Sequence, residues 1–186
     1  MGDWEGAAVQ FGLAAAAHRR AGYVHNEAMA LHIQALMLIQ VGRLERAAWV
    51  LEASISVRDP HQLYAPVVRP LWALTFARLG QRQRGWEVLR DAFATGVPPI
   101  FFEGACYWAA WFLFEVGHAR EAAVLLGFFE ASAGGNGSRE VNDLKDSPAK
   151  LRSALDGALG AALQEAVAVG RSWTLPDALR MLRDLA

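Results

Sequence analysis

The sequence predicts an all-α protein built from antiparallel helical hairpins stacked side by side, and a pattern that recurs four times carries that prediction. The stretches "MGDWEGAAVQFGLAAA", "VGRLERAAWVLEAS", "LGQRQRGWEVLRDA" and "VGHAREAAVLLGFFEA" each hold an early glycine, at Gly2, Gly42, Gly80 and Gly117, spaced by 40, 38 and 37 residues. Five places after each glycine stands a small residue (Ala7, Ala47, Gly85, Ala122), and four further on a large apolar one (Phe11, Leu51, Leu89, Leu126). Counting back from the last three glycines, seven places give Ala35, Ala73 and Ala110, and four places give Leu38, Phe76 and Leu113.

Each spacing has a physical meaning. Apolar residues at steps of three and four line one face of an α-helix. A glycine at the end of such a run supports the left-handed residue that closes a helix and opens a tight turn. Small residues at a fixed depth on both flanking helices let them approach closely, and the large ones fill the gaps. One hairpin cannot bury its apolar face alone, so hairpins must stack.

In chain order the periodicity predicts helices over Trp4–Arg20, Tyr23–Val41, Leu44–Val57, Ala65–Leu79, Arg82–Thr95, Phe102–Val116 and Ala119–Ala133. Pro60, Pro66 and Pro70 crowd one linker and Pro98-Pro99 mark another, which blurs the helix starts beside them. The stretch "AGGNGSREVNDLKDS" is polar and rich in glycine, a loop signal. A longer helix is expected from Pro148 to about Val169, with Ser147 as N-cap and Gly170 as its stop. Thr174 then caps a last short helix, with Asp177 three places on completing an imperfect capping box. The domain reading is helical repeats over 1–133, a polar flexible loop over 134–147, and C-terminal capping helices over 148–186.

Composition narrows the function. The chain has 186 residues, 54% of them hydrophobic and 20% charged, enough to bury a sizeable core. Its net charge of −1 offers no footprint for a nucleic-acid backbone. A single cysteine, Cys106, excludes an internal disulfide framework and suits a reducing cytoplasm. The acidic start "MGDWEGAAVQ" is unlike a secretory signal. The most apolar stretch, "ACYWAAWFLF", is about half the length that crosses a bilayer. No phosphate loop of the form G-x-x-x-x-G-K-[ST] occurs.

The glycine, the small residue five later and the apolar residue four after that resemble the tetratricopeptide repeat over about Gly2 to Ala133. The copies here run longer than that repeat usually does, and its late proline is absent or displaced. The resemblance implies hairpins stacked as a short right-handed superhelix with C-terminal capping helices. A narrower likeness lies further on. "GHAREAAVLLGFFEA" followed by "LGAALQEAVAVGRSWTLPDALRML" is similar to the C-terminal end of the repeat sensor region in large bacterial ATPase-type transcriptional regulators, LuxR-type and MalT-like. Leu159, Gly160, Gly170, Arg171, Leu175, Ala178 and Leu179 carry it, while Leu163 and Val169 depart from it. In those regulators the region sits behind a nucleotide-binding switch and often ahead of a DNA-reading domain. Neither accompanies this segment, so the chain reads as an excised piece of a longer regulator or a short relative of one.

The resemblance also implies a concave groove lined by the first helix of each hairpin. Its positions are His32, Leu36, Ile39 and Gln40, then Leu74, Ala77 and Arg78, then Tyr107, Trp111, Phe114 and Glu115. His32, Gln40, Arg78, Tyr107, Trp111, Phe114 and Glu115 are the candidate ligand or partner contacts, mixing aromatic faces with donors and acceptors.

Other residues invite sharper readings that chemistry does not sustain. His18, His25 and His32 fall seven apart, about 10 Å along a helix, too far to share one tetrahedral metal. Cys106 sits at helical spacing with Ala110 and Leu113, as a core thiol does. Glu140, Asp143, Lys145 and Asp146 read as a solvated loop. Trp49 and Trp86 are expected in the hairpin core. Trp108 and Trp111 are placed on opposite flanks of their helix, so one of them should be open. The functional expectation is a non-catalytic sensor or interaction module without cofactor or metal, cytoplasmic, touching neither nucleic acid nor membrane. It would bind a protein or small-molecule effector in the groove; the alternative is a generic protein–protein scaffold or a homodimer formed through the open N-terminal end.

Overall fold

The computed structural model describes residues 3–57, 65–94, 99–132 and 147–185, with side chains in the third stretch from Phe102 on. Ten α-helices and no strand occur among the described residues: α1 (Trp4–Ala21), α2 (Val24–Gln40), α3 (Leu44–Ser56), α4 (Ala65–Arg78), α5 (Arg82–Ala94), α6 (Pro99–Glu115), α7 (Ala119–Ser132), α8 (Pro148–Leu159), α9 (Ala162–Arg171) and α10 (Leu175–Leu185). The protein is all-helical.

Three of the four repeated glycines do one physical job; Gly2 lies outside the described residues. Gly42, Gly80 and Gly117 have φ of 77°, 76° and 99°, where a side chain would be strained. Around each of them the same two hydrogen bonds close the preceding helix. The glycine N–H donates to the carbonyl three back (Ile39, Ala77, Phe114), and the next N–H donates to the carbonyl five back (Leu38, Phe76, Leu113), all at 2.8–3.1 Å. That closure satisfies two carbonyls that a helix end otherwise leaves bare. Gly22, with φ 75°, ends α1 with the same pair of bonds to Arg19 and His18.

Packing follows from these turns. The hairpins α2–α3, α4–α5 and α6–α7 pair along their lengths, and α1 lies along α2. Ala35, Ala47, Ala73, Ala110, Ala122, Leu51, Leu89, Leu113 and Leu126 are all fully buried, so the small and large positions meet in the register that the spacing predicts. Burying each leucine contributes about 1.5–3 kcal/mol. Gly85 is small for a reason, since a Cβ there would stand 2.6 Å from the Phe112 ring and 3.0 Å from the Ala73 carbonyl. The units do not join uniformly: α3 meets α4 between the first two hairpins, whereas α4 meets α6 between the second and third.

The C-terminal part differs from its expectation. One helix over 148–169 does not form, because Gly160 adopts φ 52° and ψ −127° and splits it into α8 and α9. Gly170 is no stop, as it lies inside α9, which ends at Arg171. It serves as a contact surface instead: a Cβ on Gly170 would collide with the Val124 carbonyl, and one on Gly127 with the Val167 carbonyl. The α7–α9 crossing is therefore backbone against backbone, which only glycine permits. The Ser147 hydroxyl makes no capping bond, although its carbonyl accepts from the N–H groups of Lys150 and Leu151. Half of the capping box at Thr174 forms: its N–H and hydroxyl donate to Asp177 Oδ2 at 2.9 and 2.5 Å, while the Asp177 N–H donates to the Thr174 carbonyl and not to its hydroxyl. Beyond it, α10 returns to pack on α5. The linker prolines Pro60 and Pro98 and the loop acids Glu140, Asp143 and Asp146 lie outside the described residues.

Two expectations about tryptophan are corrected. Trp49 is 67% exposed, because it stands two positions from buried Ala47, about 200° round the helix. Trp108 and Trp111 are both buried, since α6 is enclosed by α4, α7 and α8 together. Trp86 is half-buried, its ring edge-on to Phe112 at 4.9 Å and His118 at 5.5 Å. No helix among the described residues is long and apolar enough to cross a membrane.

Candidate functional site

Five of the seven candidate contacts converge where the last turns of α4 and α6 lie side by side. Tyr107, Trp111 and Glu115 are spaced by four on α6 and so share one face, with Phe114 beside them. Arg78 reaches this face from the end of α4, its Nε donating to Glu115 Oε1 at 2.9 Å. The same guanidinium lies 5.5 Å from the Trp111 ring centroid, within cation–π range. Trp111 Nε1 donates to the Tyr107 hydroxyl at 3.1 Å. The Phe114 ring meets Trp111 edge-on at 6.2 Å, and Tyr107 packs 5.0 Å from Phe129 of α7.

Depth divides this cluster. Tyr107 and Trp111 are buried, so they form its floor and do not line an open groove. Phe114 is half-buried, and the Arg78 and Glu115 side chains are 18% and 32% exposed, which makes these three the surface a ligand would meet. Chemically the arrangement offers a guanidinium and a carboxylate over an aromatic bed, suited to recognising a polar group with an apolar flank.

The remaining two candidates stand on α2, which packs against α1 and α3. Gln40 is 1% exposed and belongs to the core. His32 is half-buried with Nε2 out of solvent, and burial lowers its pKa to about 4, keeping the ring neutral at ordinary pH. Cys106 is fully buried, and burial followed by the nearby Glu103 charge pushes its thiol pKa up, which disfavours the reactive thiolate.

Sequence reasoning missed a second surface. Val9 and Leu13 on α1 and Trp49 on α3 are 54%, 60% and 67% exposed, and they flank a trough whose floor is α2. The signal was present as Val9, Leu13 and Ala16 at steps of four and three on the face of α1 away from buried Ala8 and Ala15. A separate shallow depression on α7 and α10 is lined by Glu121, Trp173 and Met181. No group of three or more His, Cys, Asp or Glu side chains among the described residues is placed to hold a metal. Comparisons with protein-family models, with curated proteins and with solved structures found no match.

Proposed function

We propose that this chain is a non-catalytic binding module of the tetratricopeptide type, its hairpins stacked as a short superhelix, acting as the sensor or interaction region of a transcriptional regulator. The observation that carries the reading is the threefold recurrence of one helix closure at Gly42, Gly80 and Gly117, with the same small and large residues buried around each. Stacked hairpins of this kind present their first helices as an extended surface, a common platform for ligands. On α4 and α6 that surface carries Arg78, Phe114 and Glu115, and an effector or partner would bind there. The regulator context rests on the likeness of 159–182 to the end of such sensor regions.

The test is thermal stability of the wild type and of Phe114→Ala and Glu115→Gln against sugars, nucleotides, metabolite pools and short peptides. Both positions are partly exposed, so the variants keep the fold. A ligand that raises the wild-type Tm and leaves both variants unmoved supports the reading. Ligand-induced shifts equal in all three proteins would remove the site from α4 and α6. A second reading, a generic protein–protein scaffold, is favoured by one observation, the exposed apolar side chains of α1 and α3.

A further inference from the structure

The trough between α1 and α3 combines a recessed amide, a guanidinium and exposed apolar side chains. Both α1 and α3 pack on α2, and they approach each other where Arg43 ahead of α3 lies 3.6 Å from Glu5 of α1. Between them lie two adjoining depressions of about 350 and 370 Å³ that share Val9, Gln34 and Arg46 as common wall and floor. Gln34 is 8% exposed and opens onto both depressions, and its side-chain amide makes no hydrogen bond to any described residue. Its amide rests on Gly12, where a Cβ would come within 2.5 Å of Nε2.

The Gln34 amide is recessed but not sealed from solvent, so its donors and acceptor are open to a ligand that enters the trough. A helical ligand keeps its main-chain groups paired internally, whereas an extended one presents N–H and C=O side by side, which match the amide's acceptor and donors. The charges select further. Of the cations lining the trough, Arg19 is paired with Glu27 at 2.6 Å and Arg43 with Glu5, while Arg46 forms no ion pair among the described residues. Arg46 lies one helical turn from exposed Trp49, so a carboxylate and a large apolar side chain can be met together.

We propose that this trough binds an extended peptide segment of a partner protein, with its main chain hydrogen-bonded to the Gln34 amide, apolar side chains against Val9, Leu13 and Trp49, and an acidic side chain on Arg46. A second copy of this chain is a poorer occupant. A two-fold contact sets the Arg46 guanidinium of each copy in the same apolar patch, and three exposed side chains fall short of a standard interface of about 800 Å² per partner. The site lies on helices that the Arg78–Glu115 cluster does not use, so it stands without the regulator reading.

The probes are two capped octapeptides, one alternating Glu with Leu and one alternating Lys with Leu, each carrying a fluorophore and titrated by polarisation. The wild type should bind the acidic peptide at least about tenfold more tightly than the basic one. Trp49→Ala and Gln34→Leu should each weaken the acidic peptide, and Arg46→Glu should invert the preference. Arg46 and Trp49 are exposed, so those variants test the surface without disturbing the core. Equal affinity for the two peptides, no binding of either, or an acidic peptide indifferent to Arg46→Glu would overturn the proposal. So would a dimer in sedimentation equilibrium that Leu13→Glu dissociates, since the trough would then be filled by a second copy.

Discussion

At the scale of single residues, the structure separates groups that resist change from groups that can signal. His32 is the clearest case. Its pKa falls from 6.5 to about 4 on folding because burial penalises the charged ring. The unfolded chain therefore binds the proton more readily. The stability due to the neutral ring is complete above pH 6.5 and is lost as pH falls toward 4, with a slope of up to about 1.4 kcal/mol per pH unit. Denaturant melts across that range should show it, and His32→Gln should flatten the slope. Asp177 works in the same direction by the opposite route, its pKa lowered by hydrogen bonds from the Thr174 hydroxyl and N–H. Acid protonates it and loosens the start of α10, which amide exchange at that helix would report. Gly170→Ala places a methyl group against the Val124 carbonyl, so the α7–α9 crossing must open. A loss of about 1–3 kcal/mol in urea unfolding is expected.

At the scale of elements, the hairpin turn is the unit that repeats. Gly80→Ala forces an alanine to φ 76° in open space, so the loss is conformational and amounts to about 1 kcal/mol, read from the urea midpoint. Glu130 links three helices, accepting from Arg152 of α8 at 2.6 Å and from Arg171 of α9 at 2.9 Å. Glu130→Gln should loosen α8 and α9 against α7 by about 1 kcal/mol, a small effect because these groups are partly solvated. Helix bounds up to Ala133 were legible to within a residue or two wherever residues are described, except at the start of α6, because the closing bonds and the apolar steps are both local. What sequence could not convey was the use of each glycine. The sequence places Gly160 inside one long helix and Gly170 at its stop, yet Gly160 turns the chain and Gly170 admits a neighbouring backbone, a distinction that exists only once α7 is in place. The tryptophans teach the same lesson. The two-residue offset from Ala47 points Trp49 inward and helical flank separates Trp108 from Trp111, but exposure depends on how many helices surround a face. Of the candidate site, the α4–α6 positions came from the family resemblance and not from the spacing; the trough was not legible, because an unpartnered amide and an unpaired guanidinium are facts of tertiary placement.

At the scale of the whole molecule, the helices form one continuous core from Ala8 to Leu182, and α10 returns to α5 across the intervening hairpin. Thermal unfolding should accordingly be a single cooperative transition, with circular dichroism at 222 nm and tryptophan fluorescence coincident. Non-coincident curves would mean that the hairpins unfold separately. The two proposed surfaces lie on separate helices, so the sensor reading would let one ligand be sensed while another partner is held. The central claim, that the chain works by binding at these surfaces, is tested most directly by amide chemical-shift mapping of the labelled protein titrated with the octapeptides and the metabolite pools. The account predicts shifts that saturate and cluster at Arg78, Phe114 and Glu115 or at Val9, Gln34, Arg46 and Trp49. Shifts confined to the depression at Glu121, Trp173 and Met181, or ligands converted to products without any saturable shift, would contradict it.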